Sequence, residues 1–307
     1  MPSNIDAGAL AVRRNLVIVR AGDSSLHPRW LQGGENRAWD LVVSYFGDDA
    51  ERYLRPDVQR VDSKGTKWPA LGVFLENNRE LISQYDFVWL PDDDIDCKSN
   101  DIDRMFKVAE QEDLSLCQPS LAPDSYFSFP ITLTIPFFKL RYTNFVEAMV
   151  PCFRRDLLLE CVPTMSDTMS GWGLEYVWSA LANTSGGRVA IIDAVTVVHT
   201  RPVGGPNYRL IEERGISPRE EMRATLQKYE IHSTDQRVRE AITFVSNRSR
   251  AGDSLLVRIL TMRAFAFFVI RGYVLRRPNR RHLRRRLRRA FINLAWQKQS
   301  FRAGPGL

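Results

Sequence analysis

Tyr85-Asp86-Phe87-Val88-Trp89-Leu90-Pro91-Asp92-Asp93-Asp94-Ile95-Asp96 is a short apolar run that ends in a crowd of carboxylates. Its length and its β-branched and aromatic content predict a buried central strand with the acids at its C-terminal edge. That edge is where open α/β sheets bind ligands. Carboxylates crowded together raise one another's pKa unless a cation sits among them. A hard divalent ion with oxygen ligands is the natural occupant. The competing reading is an acidic turn that caps the following helix.

Toward the N-terminus, Asn15-Leu16-Val17-Ile18-Val19-Arg20 predicts a first buried strand, closed by a turn at Ala21-Gly22-Asp23-Ser24. Gly22 permits close approach of a phosphate or ribose, and a plain turn has the same composition. Residues 39–46 predict a second strand. Asp48 in the loop after it is a candidate for a ribose or base contact, or a solvated loop acid. Lys64 and Lys67 precede a helical pattern with Leu71, Phe74, Leu75, Leu81 and Ile82 on one face. A helix N-terminus there would favour an anion such as a diphosphate, although a solvated basic turn looks the same.

Toward the C-terminus, Asn100 is the expected cap of a helix that buries Ile102, Met105, Phe106 and Ala109. Strands are expected at 114–118, at 131–135 and across 143–151, the last with Glu147 as a charge in an apolar context. Met169-Ser170-Gly171-Trp172-Gly173-Leu174-Glu175 sets two glycines around a tryptophan and then opens a helix with an acid. Such a loop offers an aromatic face for a sugar ring and a carboxylate, and Glu175 is equally a first-turn acid favoured by the helix dipole. Residues 188–192 and 195–198 predict strands around Asp193 that deliver His199 into a Gly/Pro loop. A lone strand-end histidine is more often structural than a ligand, but beside a carboxylate cluster it is a candidate third metal ligand. Ser217, Pro218 and Glu220 have the order of a helix start.

The chain has 307 residues, 44% of them hydrophobic and 26% charged, an ordinary globular composition, and a net charge of +7. That charge is unevenly placed. From Ala251 onward there are fourteen Lys and Arg against Asp253 alone, which leaves 29 basic and 35 acidic residues before it. Within 280–302, Leu283, Leu287, Phe291 and Leu294 recur at helical spacing among arginines, the pattern of a basic amphipathic helix at an anionic membrane surface. A disordered solubilising tail has the same composition, and nucleic acid is a less favoured partner because few aromatics interleave with the arginines. Arg258, Arg263 and Arg271 interrupt the apolar stretch 254–275 and argue against a simple membrane span. The N-terminus lacks a secretory pattern. The four cysteines form no CxxC pair and suit a reducing compartment. The expected location is cytoplasmic, peripheral on the inner face of a membrane.

These stretches together resemble the lysine-ketoglutarate-reductase trans-splicing-related family. The resemblance lies in Asp92-Asp93-Asp94, Cys117-Gln118-Pro119-Ser120-Leu121, Phe145-Val146-Glu147-Ala148-Met149-Val150-Pro151, Gly171-Trp172-Gly173-Leu174-Glu175, Val197-Val198-His199 and Gly204-Gly205, in order along 15–208. That family is similar to GT-A glycosyltransferases, whose Asp-x-Asp strand end binds manganese and a nucleotide sugar. The tryptophan loop is similar to the Gly-Trp-Gly-x-Glu/Asp loop of inverting galactosyltransferases.

The resemblance implies an α/β fold: a GT-A-like, Rossmann-like mixed sheet flanked by helices, with a basic helical extension at the C-terminus. Its expected divisions are a catalytic domain at 13–210, a helical extension at 211–250 and a membrane-associating tail at 251–307. It implies Mn2+ or Mg2+ on Asp92, Asp94 and His199, and Glu175 as catalytic base. Gly22, Asp48, Lys64, Lys67 and Asp93 would meet a nucleoside diphosphate sugar, with UDP expected. Trp172, Gly173 and Glu147 would meet the sugar or a glycan or lipid-linked acceptor. A metal-dependent phosphoester hydrolase and a non-enzymatic adaptor are the alternatives from other classes.

Overall fold

The computed structural model describes residues 13–202, 211 and 213–243. Gly204, Gly205, the apolar stretch 254–275 and the arginine-rich 280–302 lie outside the described residues.

Among the described residues ten strands follow one another as β1 (Asn15–Ala21), β2 (Trp39–Tyr45), β3 (Gln59–Asp62), β4 (Phe87–Trp89), β5 (Ile95–Asp96), β6 (Leu114–Leu121), β7 (Phe138–Thr143), β8 (Cys152–Arg154), β9 (Arg188–His199) and β10 (Val238–Thr243). Nine of them order as β10-β7-β9-β6-β8-β4-β1-β2-β3, and β5 pairs with the end of β9. The pairs β3-β2, β2-β1 and β1-β4 are parallel. Beyond β4 the sheet is mixed, because β8 runs antiparallel to both β4 and β6 while β9 lies parallel to β6. Two antiparallel steps cancel. The C-terminal end of β9 therefore falls on the same edge of the sheet as the ends of β1 and β4.

β1 and β2 are buried along their whole length, as central parallel strands covered on both faces must be. Their side chains alternate between two cores. Val17, Val19 and Trp89 pack with Trp30 of α1 (His27–Trp30) and with Ile102, Met105 and Phe106 of α4 (Ser99–Gln111). Leu16, Ile18 and Val88 pack with α2 (Lys67–Asn77), α5 (Arg155–Cys161) and α6 (Leu174–Thr184) through Leu71, Leu158 and Trp178.

Several local expectations change in the fold. The apolar face expected over 71–82 belongs to two helices. Asn78 (φ −120°) breaks the pattern, its side-chain amide donates to the Phe74 carbonyl at 2.8 Å, and α3 (Arg79–Ile82) follows. α4 starts one residue before Asn100, where Asp101 accepts the Lys98 N–H at 3.0 Å. Residues 131–135 are not a strand. Pro130–Thr132 forms a 3-10 turn, and Arg141 takes the carbonyls of Ile131 and Leu133 at 2.7 and 2.8 Å. The strand lies instead at Phe138–Thr143. Of the strand expected over 143–151 only Thr143 lies in a strand, the end of β7, and 144–151 is irregular before β8. β9 runs unbroken through Asp193, with a register shift that leaves this residue to bind Arg141 at 2.7 Å.

Candidate active site

The acids after β4 are fixed by main-chain bonds that aim each of the three differently. The Leu90 and Asp92 amides donate to the Pro151 and Met149 carbonyls at 2.9 and 2.8 Å, holding the acidic turn beside the end of β1. Asp93 then points back into the fold. Its carboxylate accepts the Gly22 N–H at 2.9 Å and meets Arg201 at 3.1 Å. Burial pushes this carboxyl up to about 6 against those two partners. Asp94 goes the other way, and its carbonyl accepts both the amide and the hydroxyl of Thr200 at 3.1 and 2.8 Å.

His199 reaches this turn through β5. In ladder order β4 and β9 are three steps apart, about 14 Å at the usual strand spacing. β5 closes the gap by pairing Ile95 with His199 and Asp96 with Val198. His199 Nδ1 lies 2.7 Å from the Tyr126 carbonyl, which fixes that nitrogen as the donor. Nε2 lies 3.1 Å from Asp94 Oδ2. Burial lowers the imidazole pKa, but the hydrogen bond and charge of Asp94 outweigh it and push it up to about 9. Ligand atoms of Asp92, Asp94 and His199 all lie within 4.8 Å of one another. Two carboxylates and an imidazole oriented through its far nitrogen suit Mn2+ or a related divalent ion.

Asp92 is also an ion-pair partner. Lys67, the first residue of α2, places Nζ 2.5 Å from Asp92 Oδ1. Burial pushes the Asp92 carboxyl up against the opposing pull of Lys67. The next residue, Trp68, packs its ring 4.7 Å from that of Trp178 and lies beneath Gly171. The first two residues of α2 thus touch both the carboxylate turn and the tryptophan loop.

That loop needs its glycines. Gly171 and Gly173 have φ of +79° and +100°, and a Cβ on Gly171 would come within 2.3 Å of the Trp68 ring. Gly173 ends the loop at the start of α6, and its N–H donates to Glu175 Oε2 at 3.0 Å. Glu175 is 5% exposed, and burial pushes its carboxyl up to about 7 against the amides of Glu175 and Gly173. Trp172 is half-buried. Glu147 is buried, with its N–H on Gln118 Oε1 at 2.6 Å. Burial raises the Tyr176 phenol to about 12, helped by the charges of Glu175 and Glu147, so the two acids act on one hydroxyl.

The remaining predicted contacts stand in an exposed turn. Lys64 Nζ meets Asp48 at 2.7 Å and the carbonyls of Phe46 and Gly47 at 2.7 and 2.6 Å. Two residues with no assigned part in the sequence hold the site in place. Arg201 ties Asp93 down, and its nearness to His199 in sequence was the available signal. Glu221 on α7 (Pro218–Lys228) accepts the amides of Met169 and Ser170 at 2.8 and 2.9 Å and the Thr168 hydroxyl at 3.1 Å. A first-turn acid on a helix reads as a dipole contact, so sequence alone carries no sign of that role.

Residues 57–141 match the family described as protein of unknown function DUF707, a span that includes Asp92-Asp93-Asp94 but neither the tryptophan loop nor His199. No curated protein matches the chain in sequence. Among solved structures, GalNAc-T7 with UDP, GalNAc and Mn2+ is similar with a TM-score of 0.52 and 9% identity over 72% of this chain and 49% of that one. The match thus spans about half of GalNAc-T7. A protein of Desulfovibrio desulfuricans G20, assigned provisionally as a nucleotide-diphospho-sugar transferase, is similar at 12% identity over 69% of this chain and 98% of its own, with a TM-score of 0.39. The fold is a GT-A-like mixed α/β sheet flanked by helices, as the sequence led us to expect. The lysine-ketoglutarate association does not enter these matches.

Proposed function

We propose that the chain is a metal-dependent, inverting glycosyltransferase that moves a sugar from a nucleoside diphosphate donor to a hydroxyl of a glycan or lipid-linked acceptor. The carrying observation is the meeting of Asp92, Asp94 and His199 within 4.8 Å on the ligand-binding edge of the sheet. These three residues would hold Mn2+ or Mg2+. A bound cation supplies Lewis acidity toward the charge that gathers on a departing diphosphate. Glu175 accepts the acceptor's proton, and its burial gives it the basicity that the task needs near neutral pH. The acceptor oxygen bonds to the anomeric carbon as the bond from that carbon to the diphosphate breaks on the opposite face. A single base on one side of the sugar supports inversion.

Trp172 stacks on the sugar, Gly173 offers its backbone beside it and Glu147 orients its hydroxyls. The donor's phosphates face Lys67. Its ribose and base lie along Gly22, held by Asp93, and the turn of Asp48 and Lys64. UDP is the nucleotide favoured here, in keeping with the fold shared with a UDP- and Mn2+-bound transferase. We assign residues 251–307 to attachment at an anionic membrane surface. No helix among the described residues is long and apolar enough to cross a membrane.

A thermal-shift screen of UDP-, GDP- and dTDP-sugars with and without Mn2+ tests the reading. One nucleotide class should stabilise the protein only when Mn2+ is present. Asp94→Asn should remove that response, and calorimetric donor binding left unaltered by the substitution would overturn the assignment. Cleavage of simple phosphoesters without sugar transfer would favour the hydrolase instead.

A further inference from the structure

Lys67 is oddly placed for a cation. It opens α2, and the N-terminus of a helix already carries partial positive charge. The side chain is nevertheless only 11% exposed. Its ammonium has three donors and finds three oxygens: Asp92 Oδ1 at 2.5 Å, and the Ala148 and Met149 carbonyls at 3.3 Å each. The Trp68 ring closes a further side, with its centroid 4.6 Å from Nζ. One carboxylate and two carbonyls around a largely enclosed charge are the oxygen set of a cation site. Asp94 is matched in the same way by His199 at 3.1 Å. Each carboxylate that faces the site thus already has a cationic or imidazole partner from the chain itself.

We propose that Lys67 is a resident cation that competes with the divalent metal for Asp92, and that its ammonium passes to the donor's diphosphate when the metal takes that carboxylate. The inference rests on the reading of Asp92, Asp94 and His199 as metal ligands. A fixed positive charge beside a ligand oxygen opposes a second cation, strongly where water is partly excluded. Metal alone therefore binds weakly. Metal with a nucleoside diphosphate binds as a unit, since the phosphate oxygens give Lys67 and the α2 N-terminus a new anion to hold. The device favours loading of the metal together with the donor.

The test is Mn2+ binding to the full chain at pH 8, read by calorimetry or by the spin-resonance signal of free Mn2+. Lys67→Met removes the charge at nearly constant length, and Lys67→Gln does so with a polar end. Lys67→Arg keeps the charge. We expect both neutral variants to bind Mn2+ about tenfold or more tightly than the wild type, and the arginine variant to stay within about threefold of it. UDP should then tighten Mn2+ binding by a larger factor in the wild type than in either neutral variant. Mn2+ binding by the wild type that is unchanged or weakened in both folded neutral variants overturns the inference and leaves the metal reading standing. No Mn2+ uptake by any folded variant overturns both. Equal enhancement by UDP in wild-type and neutral variants overturns the transfer of the ammonium.

Discussion

Glu175 lies at a point where basicity and stability pull apart. Its carboxyl is raised by burial to about 7 from an ordinary value of 4.5. The folded protein therefore holds this proton more tightly than the unfolded chain does. The resulting stabilisation is complete below the unfolded value of 4.5 and is lost as pH rises through about 7. Above that point the buried charge opposes folding by on the order of 3 kcal/mol. Glu175→Gln keeps an acceptor for the Gly173 amide and removes the charge. It should raise the unfolding free energy by roughly 2–3 kcal/mol at pH 8.5, leave it nearly unchanged at pH 4, and abolish sugar transfer. Urea melts at the two pH values read the first effect, and a variant less stable than wild type at both would contradict the burial argument. Wild-type turnover should climb through pH 7, and a profile flat from pH 5.5 to 8.5 would remove Glu175 as base. At this scale the sequence was partly legible. The glycines around Trp172 announced a turn, and the acids and the histidine at the ends of apolar runs announced that Asp92, Asp94 and His199 would lie at one edge of the sheet. The pairing of Lys67 with Asp92 was not legible, since it joins side chains 25 residues apart across two elements.

Among the elements, β5 and α7 do most to assemble the site. The two-residue strand β5 joins the acidic turn to the end of β9, and so turns a separation across three ladder steps into contact between Asp94 and His199. No periodicity marks a strand that short. α7 was legible as a helix from Ser217, Pro218 and Glu220, but its target was hidden. The reason is that Glu221 caps backbone amides some fifty residues upstream, at Met169 and Ser170. The misreading of 131–135 has the same origin. Its β-branched composition suits a strand, but Arg141 and Asp193 take up its main-chain groups through the bonds to Ile131, Leu133 and Ile135. Since α7 hydrogen-bonds the tryptophan loop, its loss should act on chemistry more than on donor binding. Glu221→Ala should lower stability by about 1.5–3 kcal/mol, the range for hydrogen bonds to a charged group. It should also lower kcat at least tenfold, with donor KM changed less than threefold, both order-of-magnitude expectations for a misplaced base. Steady-state kinetics decide the matter: a rise in donor KM with kcat intact would detach α7 from the loop's function.

For the molecule as a whole, the sheet joins a parallel half, β3-β2-β1-β4, to a mixed half that β10 extends at its far edge. The parallel half brings Gly22 and Asp92 to the edge at which open α/β sheets bind ligands, and the mixed half brings His199 to it. The parallel half was legible in the runs of 15–20 and 85–90, because strands buried on both faces are continuously apolar. The mixed half was not, because its order depends on β8, a three-residue strand placed between β4 and β6. Charge divides the chain differently from packing. Residues before Ala251 carry an acidic excess of six, and those from Ala251 onward a basic excess of thirteen. Near an anionic leaflet each Lys or Arg contributes about 1 kcal/mol, so several of the fourteen in this segment would suffice for the proposed attachment. A chain ending at residue 250 keeps both cores and every element of the site described above. It should therefore retain the Mn2+-dependent donor response and lose binding to phosphatidylserine vesicles in a sedimentation assay. Binding by the full chain should weaken as salt rises and be absent on phosphatidylcholine, because exposed charges are screened within about 10 Å at 0.1 M salt. Vesicle binding that survives the truncation, or a full chain that leaves vesicles for duplex DNA, would move the tail's partner elsewhere while leaving the proposed catalytic role of the sheet edge as argued.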